Sequence, residues 1–102
     1  MKGPEKRITD GILAYLRSRP STWRFKVGAG PFQVAGLPDI VGCTDGRFFA
    51  FEVKQPGKTA TPLQSATLAA IKRAGGIAET VTSLDQVRFV LDGPQGYPED
   101  TQ

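Results

Sequence analysis

The sequence predicts an α/β domain, a mixed β-sheet with helices packed on it, and three observations lead there. Residues 5–18 carry Ile8, Ile12 and Leu16 at helical spacing. Residues 47–54, RFFAFEVK, are apolar on both strand faces up to Glu52, the pattern of a strand covered on two sides. Between two apolar runs stands Asp45-Gly46, the strongest short signal for a hairpin.

Taken in order, the first helix spans 5–18, with Pro4 suited to its first turn and Pro20 marking its far limit. Gly11 costs it about 1 kcal/mol relative to alanine. Residues 23–34, WRFKVGAGPFQV, predict two short strands broken by GAGP. Residues 39–43 and 47–54 predict the arms of the hairpin. The segment TPLQSATLAAIKRAGG has clear ends: Thr61 as cap, Pro62 at the first helical position, Gln64 completing a capping box, Lys72 and Arg73 in the last turn, then Gly75-Gly76. The runs IAETV and VRFVL predict two further strands bridged by TSLDQ. The resulting order is α-β-β-β-β-α-β-β. Residues 1–91 are expected to form the domain and residues 92–102, rich in turn formers, an irregular tail.

At 102 residues the chain has the length of one domain, with 39% apolar and 23% charged residues as in ordinary globular proteins. No run is long and apolar enough for a membrane span, and the N-terminus lacks the apolar stretch of a signal peptide. A cytoplasmic location, in a bacterium or a phage-infected host, is the expectation. The single cysteine, Cys43, cannot form an internal disulfide and reads as a small strand residue. There is no histidine, which excludes a Ser-His-Asp triad and an imidazole base and disfavours the usual zinc hydrolase sites. Any hydrolysis must rest on carboxylates, lysine and an oxygen-loving metal. The net charge of +3 is compatible with a polyanionic partner without requiring one.

The hairpin brings out an anomaly. A two-residue turn at Asp45-Gly46 pairs Thr44 with Arg47 and Cys43 with Phe48, and outward along the same register Asp39 faces Glu52. Directly opposed residues share a face with Cβ atoms about 5 Å apart, and like charges so placed repel. Protonating one acid or holding a divalent cation between them resolves the conflict, and hard oxygen ligands suit Mg²⁺ or Mn²⁺. Strand alternation puts Lys54 on the same face as Glu52. Two helical residues join as candidates. Glu5 falls within about 20° of Ile12 and Leu16 around the first helix, although an acid is also simply favoured at a helix N-terminus. Gln64 lies on the inward face with Leu68 and Ile71, in competition with its role in the capping box.

These residues resemble a known family. Gly36-Leu37-Pro38-Asp39 followed by Glu52-Val53-Lys54 matches the PD-(D/E)xK nuclease signature. The finer pattern resembles the virus-type replication-repair nuclease (VRR-NUC) domain: GLPDIVG, a hairpin with a small loop, FFAFEVK, TPLQ opening a helix that ends in Gly-Gly, and a glutamate on the first helix, Glu5. The likeness covers roughly residues 5–91. It implies a restriction-endonuclease-like fold and phosphodiester hydrolysis dependent on Mg²⁺ or Mn²⁺. It further implies that Asp39, Glu52 and the backbone carbonyl of Val53 ligate the metal. Lys54 would orient or activate water. Glu5 would hold a metal-bound water or a second ion, and Gln64 would steady the lysine or the substrate phosphate. Stand-alone members resemble dimeric Holliday-junction resolvases, so branched DNA and a homodimer are implied as partners, with a role in DNA repair.

Arg24, Lys26, Lys58, Lys72 and Arg73 are candidates for gripping backbone phosphates, each with a solvated surface charge as the plainer role. Trp23 could stack on a base, but reads more simply as a core or interface aromatic. The alternatives to a structure-selective endonuclease are a DNA-binding module of the same fold without catalysis, a restriction-type duplex nuclease, and an enzyme of small phosphoesters.

Overall fold

The computed structural model describes residues 3–28 and 34–93. Its elements run α1 (Pro4–Ser18), β1 (Thr22–Lys26), β2 (Ile40–Thr44), β3 (Arg47–Val53), α2 (Pro62–Arg73), β4 (Ile77–Val81) and α3 (Leu84–Asp92). The four strands form one mixed sheet in the order β1-β2-β3-β4. The first three are antiparallel and β4 lies parallel to β3. Parallel neighbours need a crossover, which α2 supplies. The α/β class is as expected.

The two faces of β3 explain its unbroken apolar run. Phe49, Phe51 and Val53 point into the larger core with Ile12 and Leu16 of α1, Ile40, Val81, and Val87 of α3. Ala50 points the other way, packing with Ala78 and Leu68 and with half-buried Val41 and Ile71 beneath α2. Small residues on the α2 side let that helix lie close to the sheet. The stripe Ile8, Ile12, Leu16 is the buried side of α1, as its spacing demands.

One expected element is corrected. VRFVL is not a strand but the body of α3. Ser83 caps the helix by accepting from the Gln86 amide N–H at 3.2 Å, and the Gln86 side chain accepts from the Thr82 N–H at 2.7 Å. The segment read as a bridge, TSLDQ, therefore holds the S-x-x-Q signature of a helix start. Leu84, Val87 and Leu91 then fall on one face and meet the core. Periodicity over five residues, four of them apolar, cannot separate strand from buried helix. Asp92, expected in the tail, is the last residue of α3. Residues 94–102 of the expected tail and residues 29–33 lie outside the described residues; of the second strand expected in WRFKVGAGPFQV only Val34 is described, and it is not in a strand. Among the described residues no helix is long and apolar enough to cross a membrane.

The ends of α1 and α3 are clasped together. Asp92 accepts from the Tyr15 hydroxyl at 2.7 Å and from the Arg19 guanidinium, whose Nε also donates to Thr44 Oγ1 at 3.1 Å. Arg88 lies over the Tyr15 ring, 5.2 Å from its centroid. Burial works against the Asp92 charge, but the hydrogen bonds from Arg19 and Tyr15 outweigh it and hold its carboxyl below the ordinary value. This contribution is present above the ordinary aspartate range and is lost only as acid protonates the folded carboxylate. Asp92→Ala is expected to lower stability at neutral pH by about 2 kcal/mol, the usual worth of a charge-assisted hydrogen bond. Urea titration of the two proteins measures this.

Candidate active site

Asp45 and Gly46 have φ of +50° and +82°, the left-handed pair of a type I′ turn. That turn sets the register: Thr44 faces Arg47, Cys43 faces Phe48, and Ile40 faces Phe51. One step beyond Ile40 and Phe51 come Asp39 and Glu52, at the end of the sheet where β2 begins and β3 finishes. Asp39 is anchored on both sides. Its carbonyl accepts from the Val27 N–H at 2.8 Å, and its Oδ2 accepts from the Val53 N–H at 2.8 Å. The N–H and C=O of a strand residue point to the same side, so the Val53 carbonyl also faces the β2 side of β3.

Glu52 is 3% exposed. Its Oε2 lies 3.3 Å from Lys54 Nζ, while its Oε1 is buried without a hydrogen-bond partner. Burial first, then the neighbouring Asp39 carboxylate, push the Glu52 carboxyl up to about 7, against the opposing pull of Lys54. One lysine does not compensate two acids. Lys54 is held in place because its backbone N–H donates to the Val81 carbonyl at 2.9 Å. On β4, Thr80 stands opposite Glu52.

The helical candidates are placed differently. The Glu5 Oε2 accepts from the Gln55 N–H at 3.4 Å, so α1 reaches the edge of the site through the residue after Lys54. Among the described residues no group of three or more His, Cys, Asp and Glu could hold a metal ion, and Glu5 is not gathered into one cluster with Asp39 and Glu52. The Gln64 Oε1 accepts from the Thr61 N–H at 2.9 Å, and the Thr61 hydroxyl accepts from the Gln64 N–H at 3.2 Å. Its side chain closes the capping box of α2.

Of the basic candidates, Lys72 pairs with Glu79 at 3.1 Å. Arg24 is half-buried beside Asp10, Leu13, Ala14 and Arg17 in an open cleft of about 430 Å³ between α1 and β1. Lys26, Lys58 and Arg73 are exposed. Trp23, expected as a core or interface aromatic, is not in the core: it is 61% exposed, and Phe25 is 52% exposed beside it. The alternation in TWRFK points the other way, since it would turn the aromatic side towards the core.

The groups that could hold a hard cation are thus two carboxylates and a main-chain carbonyl, with a lysine alongside. The Glu52 carboxylate, with one oxygen buried and unpartnered, has the Asp39 carboxylate as its neighbour, and such hard oxygen donors could accept a cation. A four-stranded mixed sheet in this order with helices on both faces is consistent with the restriction-endonuclease-like fold. Two solved structures carry the comparison further. One, described as a VRR_NUC domain, superposes with a TM-score of 0.73 at 18% identity, covering 89% of this chain and 97% of that one. Another, described as a VRR_NUC domain protein, gives 0.69 at 19% identity over 86% and 84%. The chain has the fold of a VRR-NUC domain. No family model and no curated protein matches the sequence itself.

Proposed function

We propose that the chain is an endonuclease that hydrolyses phosphodiester bonds of DNA with Mg²⁺ or Mn²⁺. The observation that carries this reading is the buried Glu52 carboxylate, set beside Asp39 with one oxygen unpartnered. Asp39, Glu52 and the Val53 carbonyl would hold the cation. When bound, it would polarise a phosphoryl oxygen and lower the pKa of an attacking water. Lys54 adds positive charge where charge develops on the phosphoryl group, and orients the water. Glu5 steadies the turn after Lys54 through the Gln55 N–H. Gln64 supports the site indirectly by fixing the start of α2. Lys26 and Lys58 offer exposed positive charge for backbone phosphates. The family resemblance of the sequence favours branched DNA, such as Holliday junctions, and action as a homodimer.

The test is purified protein against labelled four-way junction, flap, duplex and single-stranded substrates, with and without Mg²⁺. Cleavage that needs the cation and disappears in Asp39→Ala is the expected result. Intact substrates under every condition, with the protein folded, would sink the proposal.

A further inference from the structure

The open half of the sheet presents an aromatic pair on the face that carries the acids. Residues paired across antiparallel strands share a face, as do residues two apart on one strand. Phe25 pairs with Val41, and Val41 with Ala50. Val41 and Ala50 belong to the cluster beneath α2, and Asp39 and Glu52 follow two residues further along their strands. Trp23 and Phe25 therefore lie on the same face as Asp39 and Glu52. They begin one pair step, roughly 7 Å along the strand, from the acids.

On this face α2 packs over β3 and β4. Among the described residues nothing buries the β1 pair, which stays 61% and 52% exposed. The two rings are parallel, with centroids 6.1 Å and planes 6° apart. Aromatic pairs stacked this closely leave no room between them, so a further flat ring adds to the end of the stack. Two features choose the occupant. The stack is continuous with the acid pair on one face, so a polymer whose phosphate reaches the acids brings its bases to the rings. Positive charge also sits at that end of the sheet, on Lys54 beside Glu52 on this face and on exposed Lys26 at the end of β1, whose register with Ile40 turns it to the other face. Flat apolar rings that lead along one face to a lysine suit unpaired bases on a phosphate backbone.

We infer that Trp23 and Phe25 form a stacking platform for unpaired bases of a nucleic acid lying across Asp39 and Glu52. The preferred substrate then has single-stranded character beside the cut. This rests on the nuclease reading for the chemistry, while the platform itself is a binding site.

Trp23 is the only tryptophan in the chain, so its fluorescence reports this site alone. The protein, in chelator, is titrated with an oligothymidylate of about 10 nucleotides and with a blunt duplex of equal length. Saturable quenching by the single strand, weaker with the duplex, is expected. Phe25→Ala should weaken single-strand affinity roughly 5- to 100-fold, the worth of one stacked base. Phe25→Leu keeps apolar bulk without a π face. Stacking predicts that it fails to restore binding, whereas a packing role predicts rescue and overturns the proposal. Melting temperatures of both variants confirm that they are folded.

Equal response to duplex and single strand, or fluorescence that follows protein concentration and dimer formation but not nucleic acid, also overturns it. The last result would mean that a second copy covers the rings. With Mg²⁺ and a duplex bearing a single-stranded tail, both Trp23→Ala and Phe25→Ala should raise KM more than they lower kcat. Cleavage with an unchanged KM rejects the platform and keeps the nuclease. Single-strand binding that Phe25→Ala weakens, with no cleavage of any substrate, keeps the platform and rejects the nuclease.

Discussion

Replacing Glu52 by glutamine is expected to abolish cleavage and at the same time to make the cation-free protein more stable at pH 8. Both effects come from the same charge. Glu52 is 3% exposed, and burial together with Asp39 raises its carboxyl from the ordinary 4.5 to about 7. A carboxyl raised in the folded state binds its proton more tightly there than in the unfolded chain. Stability is then greatest below the unfolded value of 4.5 and falls as pH rises towards the folded value of about 7. Across that window the loss is on the order of 3 kcal/mol. Asp92, whose carboxyl is lowered, changes stability only at more acid pH and does not blur the window. Glutamine keeps the shape, carries no charge, and removes the slope. For a domain of this size a gain of about 2 kcal/mol raises the melting temperature by roughly 10 °C.

The measurement is thermal unfolding at pH 5 and pH 8, with and without Mg²⁺. Wild type should melt lower at pH 8 than at pH 5 without cation and recover with Mg²⁺, because a ligand bound only by the folded state stabilises it. Glu52→Gln should show neither the pH slope nor the cation response. Its cleavage rate should fall at least about 10³-fold, since one of the two proposed anionic ligands is gone. A wild-type protein more stable at pH 8 than at pH 5 in chelator would contradict the placement of this charge. On the proposed function the site is then a stability–function compromise: the carboxylate that the chemistry would require is one that the fold alone would not choose.

How much of this was legible in the sequence depends on how local each signal is. The hairpin was legible because Asp45-Gly46 admits one tight turn, and that turn propagates its register to Asp39 and Glu52 by counting alone. The start of α2 was legible because Thr61, Pro62 and Gln64 carry a complete capping box within four residues. The helix α3 was not legible because VRFVL, with four apolar residues in five, resembles a strand while its cap, Ser83 with Gln86, lies in the stretch that resembles a loop. The positions of Glu5 and Gln64 were not decidable from angle around a helix. An inward-facing residue at a helix end can turn to a loop N–H, as Glu5 does to Gln55, or back to its own cap, as Gln64 does. The exposure of Trp23 depended on how far α2 extends across the sheet, which is a tertiary fact.

Gly42→Ala is expected to be the most damaging small substitution in the sheet, costing at least about 3 kcal/mol. Gly42 is the middle residue of β2, between Arg24 on β1 and Phe49 on β3. A Cβ there would stand 2.1 Å from the Trp23 carbonyl oxygen and 2.4 Å from the tip of the Phe49 ring. The ring cannot simply turn away, because it is fully buried and packs on Phe51 with centroids 5.5 Å apart. The carbonyl can retreat only if β1 moves. Gly46→Ala sets the comparison: its Cβ meets nothing within 4 Å, and only the φ of +82° is strained, so about 1 kcal/mol is expected there. Because β1 is the edge strand, the expected failure of Gly42→Ala is detachment of β1 before the rest unfolds. Urea titration should then show a lowered m-value as well as a lowered midpoint. Detachment removes the hydrogen bond from Val27 to the Asp39 carbonyl, so residual cleavage should fall further than the unfolded fraction accounts for. If Gly42→Ala melts like Gly46→Ala, β1 does not lie against β2 as closely as this packing requires.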